Sequence, residues 1–582
     1  MQAFEPKTLT IAELFGNQDS LYKIPRYQRP YKWEGDQVEQ LWDDIYSAYE
    51  DNISNYFLGS IITAKDGSSI DIIDGQQRMT TLMIFFCVLR DVFPNINEDT
   101  DNPDAIDKDT IENFIYYKKK FERLTLLTDP QHRGDLENLI IKGSVYDLKK
   151  PYKYEIKIDE KPKYKFMNTA LIFKEKLEEI GEENIGEFIN YLFNNVSIIR
   201  IDCIDRGFAI KLFQVLNDRG MDLTSSDLIK SFLLQKIEDK YKNEEDDTGR
   251  KDEEDQFISE WRKAENILLD TDLSMNDMFI VYEYYLLAQN PKKSLSDELQ
   301  EQFKDGDANT ILHDFVEFSE IYRDDICNKE DKVIYSFWYL RWSVYWKSIL
   351  LASLHNNYSE HEKLLIILRR FYYLYWIAGK TLSKVKQLSF NIIKWVKENK
   401  SIDFIENEIN VKLKADNIIN LAKDNLSSDD IYNTAWSKPL ILLIEYGITD
   451  DSKLSFIGLS KDLHLEHILP KKYKSFPEWD HITDEVALEW LNSAGNLTLL
   501  SGKKNIEASN NPFDQKISIY RGKGKYKDKD TSITAFEMTK QIVSDFEQNK
   551  YNKEWTEQAI EDRYDWFCEK VTDILDISCE DQ

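Results

Sequence analysis

Glu466-His467-Ile468-Leu469-Pro470, with His464 just before it and Gly495-Asn496-Leu497 and Asn505 downstream, limits what this chain can build more than any other stretch. Seven histidines occur in the whole sequence, and three of them (His464, His467 and His481) fall within eighteen positions. Hydrolysing a phosphodiester at neutral pH calls for a cation that binds a phosphate oxygen and steadies the leaving oxygen, and for a neutral histidine that takes a proton from water. The set holds those parts in order. Glu466 reads as an acidic ligand and His467 as the base. Pro470 ends a strand and turns the chain. Asn496 would hydrogen-bond the loop backbone and fix the orientation of His467. Asn505 would be the second ligand, at the start of a helix. Oxygen donors from Glu466 and Asn505, without cysteine, favour Mg2+ or Mn2+ over a structural Zn2+. His464 is a ligand, a group behind one, or an ordinary histidine; His481 reads as incidental.

A chain of 582 residues exceeds one hydrophobic core, so roughly two to four domains are expected. Hydrophobic residues at 42% and aromatic ones at 13% mean that most of it folds. Met1 to Phe15 carries Glu5, Lys7 and Glu13 and has no apolar segment of the signal-peptide kind. The most apolar stretches are broken by Arg341, Lys347, Arg369 and Arg370, so no membrane span is expected. Cys87, Cys203, Cys327, Cys568 and Cys579 are scattered, without a Cys-x-x-Cys pair, and read as reduced thiols of a cytoplasmic protein.

The formal net charge of −30 argues against a general coat for nucleic acid, which depends on clustered Lys and Arg. That charge is uneven. Glu238 to Asp255 holds ten acidic residues and reads as a solvated insertion, and Asn95 to Asp109 reads as a second acidic loop. Lys503 to Lys529 runs the other way, with eight Lys or Arg against three Asp or Glu. Positive charge therefore gathers beside the Glu466-His467 motif, where a phosphodiester would need it.

Near the N-terminus, Tyr56 to Thr63 and Ile70 to Ile73 are rich in β-formers around the turn Lys65-Asp-Gly-Ser, which predicts a hairpin. Thr80 to Val92 reads as a buried helix that follows Asp74-Gly75-Gln76-Gln77-Arg78. A strand that runs through a glycine turn into a helix presents free backbone N–H groups, a common anion site. Tyr152 to Phe166 alternates Lys and Tyr and predicts an exposed hairpin; Ile198 to Cys203 predicts a buried strand. Phe208 to Leu216 and Ser225 to Lys236 predict helices, the second capped by Ser225 or Ser226. From 257 to 440 long helical patterns dominate, and the aromatic stretches Tyr335 to Trp346 and Phe371 to Trp376 read as core.

Ile24-Pro25-Arg26-Tyr27-Gln28-Arg29-Pro30-Tyr31-Lys32-Trp33 joins the Asp74 turn as a second polar constellation. Its planar donors (Arg26, Arg29, Arg78) and amides (Gln28, Gln76, Gln77) suit phosphate and a base edge, and Asp74 suits a cation or a water. No Gly-x-x-x-x-Gly-Lys-Ser/Thr loop is present, so a nucleotide site here is not of the P-loop type. A polar turn buried between strands is the plainer reading of the same residues.

Taken together, Tyr-Gln-Arg-x-Tyr-x-Trp, Asp-Gly-Gln-Gln-Arg-x-Thr-Thr-Leu, the stretch Phe213 to Leu223 and the Glu-His-Ile-x-Pro segment resemble the GmrSD family of modification-dependent (type IV) restriction enzymes of phage defence. The resemblance implies an α+β, multidomain, mainly helical fold. An N-terminal ParB/sulfiredoxin-like α/β domain (1–236) would bind and hydrolyse NTP and sense DNA. An acidic insertion or linker (237–256) and a helical scaffold (257–440) would follow, and then a ββα-metal HNH nuclease domain (441–582). By position, Gln28, Arg29, Asp74, Gly75, Gln76, Gln77, Arg78 and Thr80 would form the nucleotide site, and Glu466, His467, Asn496 and Asn505 the nuclease site. The implied function is a nucleotide-regulated, metal-dependent DNA endonuclease against modified phage DNA. Two alternatives stay open: an NTPase sensor with a toxin-like nuclease acting on host DNA or RNA, and a DNA-binding sensor with an inactive HNH fold. A homo-oligomer is compatible with either.

Overall fold

The computed structural model describes residues 4–17, 20–97, 106–128, 130–149, 161–182, 184–216, 224–241, 248–450, 455–522 and 536–577. They fall into two compact units, Met1–Ile258 and Ser259–Gln582. Helices dominate both, and the first also holds a six-stranded mixed sheet, so the architecture is α+β.

In the first unit the strands are β1 (Phe4–Thr10), β2 (Tyr22–Ile24), β3 (Tyr56–Asp66), β4 (Ser69–Asp74), the short pair β5 (Tyr116–Tyr117) and β6 (Phe121–Glu122), β7 (Leu124–Leu126) and β8 (Val196–Cys203). The large sheet runs β1-β8-β3-β4-β2-β7. β8 lies between two partners, antiparallel to β1 and parallel to β3, and its near-continuous apolar sequence suits that inner place. β3 and β4 form the antiparallel hairpin that their β-rich runs predict. The helix Gln76–Val92 packs into the core along its whole length, with every residue from Met79 to Leu89 buried. It starts at Gln76, earlier than Thr80, so the polar motif occupies its first turn.

Three local expectations are corrected. Thr224, not Ser225 or Ser226, caps the helix Ser225–Lys240: its hydroxyl accepts from the Asp227 N–H while the Asp227 carboxylate accepts from the Thr224 N–H. In the stretch Tyr152 to Phe166, residues 152–160 lie outside those described, and 161–166 open the helix Lys161–Ile180 instead of completing a hairpin. The acidic stretch is not uniformly solvated, because the helix Thr248–Leu269 begins inside it. Glu253 accepts from Lys240 Nζ at 2.8 Å, and Arg26 pairs with Glu254 at 3.2 Å and with Asp255.

In the second unit the aromatic stretches are core, as their helical spacing predicts. Every residue from Phe371 to Ile377 in the helix His361–Ile377 is buried, and Tyr373 Oη donates to the Ser336 carbonyl at 2.9 Å. Tyr335 to Trp346 is two helices, Lys332–Phe337 and Ser343–His355, parted at Trp342, whose φ is +63°. The helix Ser437–Ile448 runs across residue 440. Its buried Glu445 accepts the N–H groups of Glu537 (2.6 Å) and Met538 (3.0 Å), capping the helix Glu537–Glu547. β9 (Leu463–His467) and β10 (Leu497–Ser501) pair antiparallel, and the helix Gly502–Ala508 follows at once. Among the described residues no helix is long and apolar enough to cross a membrane.

Candidate functional site

Glu466 and His467 end β9, opposite Thr498 and Leu497 of β10. Adjacent strand residues point to opposite faces, and these two do. Glu466 is turned inward. Lys516 Nζ donates to its Oε1 at 2.5 Å and to the His467 carbonyl at 2.6 Å, and Tyr520 Oη donates to Oε1 at 3.3 Å. The Lys516 side chain is 0% exposed, so this lysine of the basic run serves the interior and not a phosphate. Burial pushes the Glu466 carboxyl up from its ordinary range, and Lys516 pulls it partly back.

The His467 ring faces the other way. Its Nε2 lies 3.0 Å from Asn492 Oδ1, and the Tyr432 ring sits against it, centroids 4.1 Å apart. Burial, the largest influence, lowers its pKa to about 4, so the imidazole is neutral at neutral pH. A neutral ring is the form that can take a proton. Asn496 is fully buried and grips the turn after His467. Its Oδ1 accepts from the Leu469 N–H at 2.7 Å and from Trp555 Nε1 at 3.2 Å, and its Nδ2 donates to the carbonyls of Leu469 (3.0 Å) and Leu491 (2.8 Å). Its hold is on the backbone; the ring itself is held by Asn492.

Asn505 stands half-exposed in the helix Gly502–Ala508, at its fourth residue and not its start. Half-exposed His464 pairs with Leu500 across the hairpin, and its Nε2 lies near Gly502. His481 Nε2 contacts the Trp555 carbonyl at 3.1 Å, a packing role. Among the described residues no three His, Cys, Asp or Glu side chains gather as a closed metal cage. Glu466 and Asn505 would offer oxygen donors of the kind Mg2+ or Mn2+ takes, but the Glu466 carboxylate is turned inward onto Lys516 and Tyr520, away from His467.

In the first unit, Gln28, Arg29, Trp33, Asp74, Gly75, Gln76, Gln77, Arg78 and Phe213 line a cavity of about 220 Å³. Gly75 makes the turn from β4 into the helix at φ +86°, and a Cβ there would lie 2.4 Å from Ile61 Cγ2, so only glycine fits. Two amides tie the motifs together. Gln28 Nε2 donates to the Ile73 carbonyl at 2.7 Å; Gln77 Oε1 accepts from the Lys32 N–H at 2.6 Å, and its Nε2 donates to the Pro30 carbonyl at 3.3 Å. Arg78 Nη1 donates to the Ser60 carbonyl at 3.0 Å. Among the described residues Arg29 Nε is buried without a hydrogen-bond partner, with Asp227 Oδ2 4.0 Å away. Burial raises the Asp74 pKa, opposed by the Gly75 N–H, Arg78 and Arg29. Thr80 is buried in the helix behind the cavity and is not part of its lining. Of the Phe213 to Leu223 motif, residues 217–223 lie outside those described.

Family models agree with both halves. Residues 11–234 match the N-terminal domain of the GmrSD restriction endonucleases, and residues 419–570 match their C-terminal domain. The chain belongs to the GmrSD restriction endonucleases. No curated protein matches it. The C-terminal match of this GmrSD chain opens at residue 419 and so takes in Asp430, Tyr432 and Asn492 as well as the hairpin. Those three residues, with Lys516, are the site groups that motif reading missed. Spacing alone carries no signal for them, because each reaches the hairpin only through tertiary packing.

Proposed function

We propose that this GmrSD chain is a nucleotide-regulated, metal-dependent DNA endonuclease that restricts phage DNA bearing modified bases or backbone, using an HNH-type site. The observation that carries the reading is the strand–strand–helix unit in which Asn496 clamps the turn directly after a buried, neutral His467. His467 takes the proton of the attacking water. Glu466 and Asn505 would hold Mg2+ or Mn2+. That ion, when bound, supplies a Lewis acid for the phosphate and leaving oxygens.

The N-terminal cavity is read as the NTP site of a ParB/sulfiredoxin-like domain. Arg29 and Arg78 meet phosphate, Gln76 meets a polar edge, and Asp74 holds a cation or water. A buried guanidinium nitrogen without a hydrogen bond among the described residues supports that reading, because such groups are otherwise costly. The chain's net charge of −30 also supports a sensor, since broad attraction to DNA is not its targeting device.

The test is cleavage of matched modified and unmodified phage DNAs by the wild type and His467→Ala, with and without NTP and Mg2+ or Mn2+. Cutting of the modified DNA is expected to need both additions and to fall by about 10²–10⁴-fold in the variant. Unchanged cleavage by His467→Ala sinks the catalytic assignment. Equal degradation of RNA or host DNA replaces the proposed target with a toxin-like one.

A further inference from the structure

The family motif accounts for Glu466, His467, Asn496 and Asn505, but not for what orients the reacting ring. In the structure that task falls to a short chain of polar groups. Asn492 Nδ2 donates to Asp430 Oδ1 at 2.9 Å, and Asn492 Oδ1 lies 3.0 Å from His467 Nε2. Asp430 Oδ1 also accepts from Asn433 Nδ2 at 2.7 Å, which holds the carboxylate in place. The Tyr432 N–H donates to the Asn492 carbonyl at 3.0 Å, and the Tyr432 ring lies against the imidazole on one side with Lys471 Nζ 4.2 Å from its own centroid.

The direction of these bonds follows from donor chemistry. An ionised carboxylate only accepts, so Asp430 must face the NH₂ end of the Asn492 amide. The amide oxygen is then the end that meets His467, and it too only accepts. Nε2 must therefore carry the proton. In a neutral imidazole that leaves the lone pair on Nδ1, for which no protein partner occurs among the described residues.

We propose that Asp430, Asn492 and Tyr432 are positioning residues that hold His467 as the Nε2–H tautomer and present Nδ1 to the attacking water. The proposal rests on the reading of His467 as the general base. It makes a stretch upstream of the hairpin part of the catalytic apparatus: Asp430 and Tyr432 lie more than thirty residues before His467. Asn492 acts through the ring and touches no reacting atom.

The test uses the full chain with ¹⁵N-labelled histidine at neutral pH, the His467 signals being those missing from His467→Gln. Long-range ¹H–¹⁵N correlation is expected to show a single neutral Nε2–H form. Asn492→Leu should mix the tautomers and lower kcat by about 10–100-fold with KM unchanged, the scale for losing a partner that orients a site ligand. Asn492→Asp combined with Asp430→Asn swaps donor and acceptor, leaves a carboxylate oxygen facing Nε2, and should restore the tautomer and most of kcat. Asp430→Asn, at an exposed position, covers the case in which Asn492→Leu does not fold: it frees the Asn492 amide to flip and should also mix the tautomers. An Nδ1–H form in the wild type, or tautomers unmoved in both Asn492→Leu and Asp430→Asn, overturns the proposal. Failure of the base reading is separate: His467→Ala would then keep cleaving, whatever the tautomer.

Discussion

The cavity beside Gln76 and the hairpin at His467 differ in what their polar side chains do. At the hairpin every group of the motif that is buried already has a protein partner: Glu466 has Lys516 and Tyr520, His467 has Asn492, and Asn496 holds backbone on both sides of the turn. At the cavity the two outer amides are spent on backbone, yet among the described residues Arg29 Nε stays buried without a hydrogen bond. Under the proposed function, the first arrangement suits a preorganised reaction centre and the second a site that gains order on binding nucleotide.

The largest expected effect probes the satisfied region. Lys516→Met leaves the Glu466 carboxylate buried and unpaired, and it should lower the unfolding free energy by about 3–5 kcal/mol in chemical denaturation. The double variant Lys516→Met with Glu466→Gln removes both charges and should recover most of that loss. Equal destabilisation by the single and double variants would show that the pair contributes packing and not charge compensation. The contrast between the two regions would then lose one of its supports.

A smaller effect probes the cavity. Arg29→Met should leave the melting temperature of the free protein nearly unchanged, because among the described residues Nε has no hydrogen bond to lose. Its consequence should appear only with nucleotide. A ligand at about 100 times its Kd stabilises the wild type by roughly 2.7 kcal/mol, and the variant should show little of that shift. A full nucleotide shift in Arg29→Met would remove Arg29 from the site. A large loss of stability without nucleotide would show that the Asp227 contact is structural.

The same contrast explains which features were legible in the sequence. The β3–β4 hairpin, the β8 strand and the buried helix after Gly75 announce themselves through apolar periodicity and turn residues, which are local. Glu466, His467, Asn496 and Asn505 stand out because residue types and spacing recur together. Lys516 did not stand out: it sits in a basic run, and only the packing of the helix Phe513–Tyr520 onto β9 turns it inward. Asn492, Asp430 and Tyr432 are ordinary polar residues in or beside short connecting turns, and their role comes from meeting one imidazole across the fold. The cap at Thr224 was misread because three hydroxyls stand in a row, and only the reciprocal bond to Asp227 selects among them.

The smallest expected effect compares the two acids directly. Burial raises the pKa of both Asp74 and Glu466, but Glu466 has a lysine at 2.5 Å while Asp74 is offset only in part by Arg78, Arg29 and the Gly75 N–H. An acid with a raised folded pKa binds more protons folded than unfolded. Its penalty is therefore absent below the ordinary carboxylate range and grows as pH rises through that range towards neutrality. Asp74→Asn should accordingly raise stability at pH 7 by up to about 1 kcal/mol, and the gain should vanish near pH 3, where the wild-type carboxyl is protonated in both states. Glu466→Gln should do the reverse at pH 7, because it strands the Lys516 ammonium in the interior. Thermal melts of the two variants across that pH range separate the cases. Destabilisation by both would mean that Asp74 is matched as fully as Glu466, and the N-terminal cavity would then be a finished structural turn and not a site awaiting its ligand.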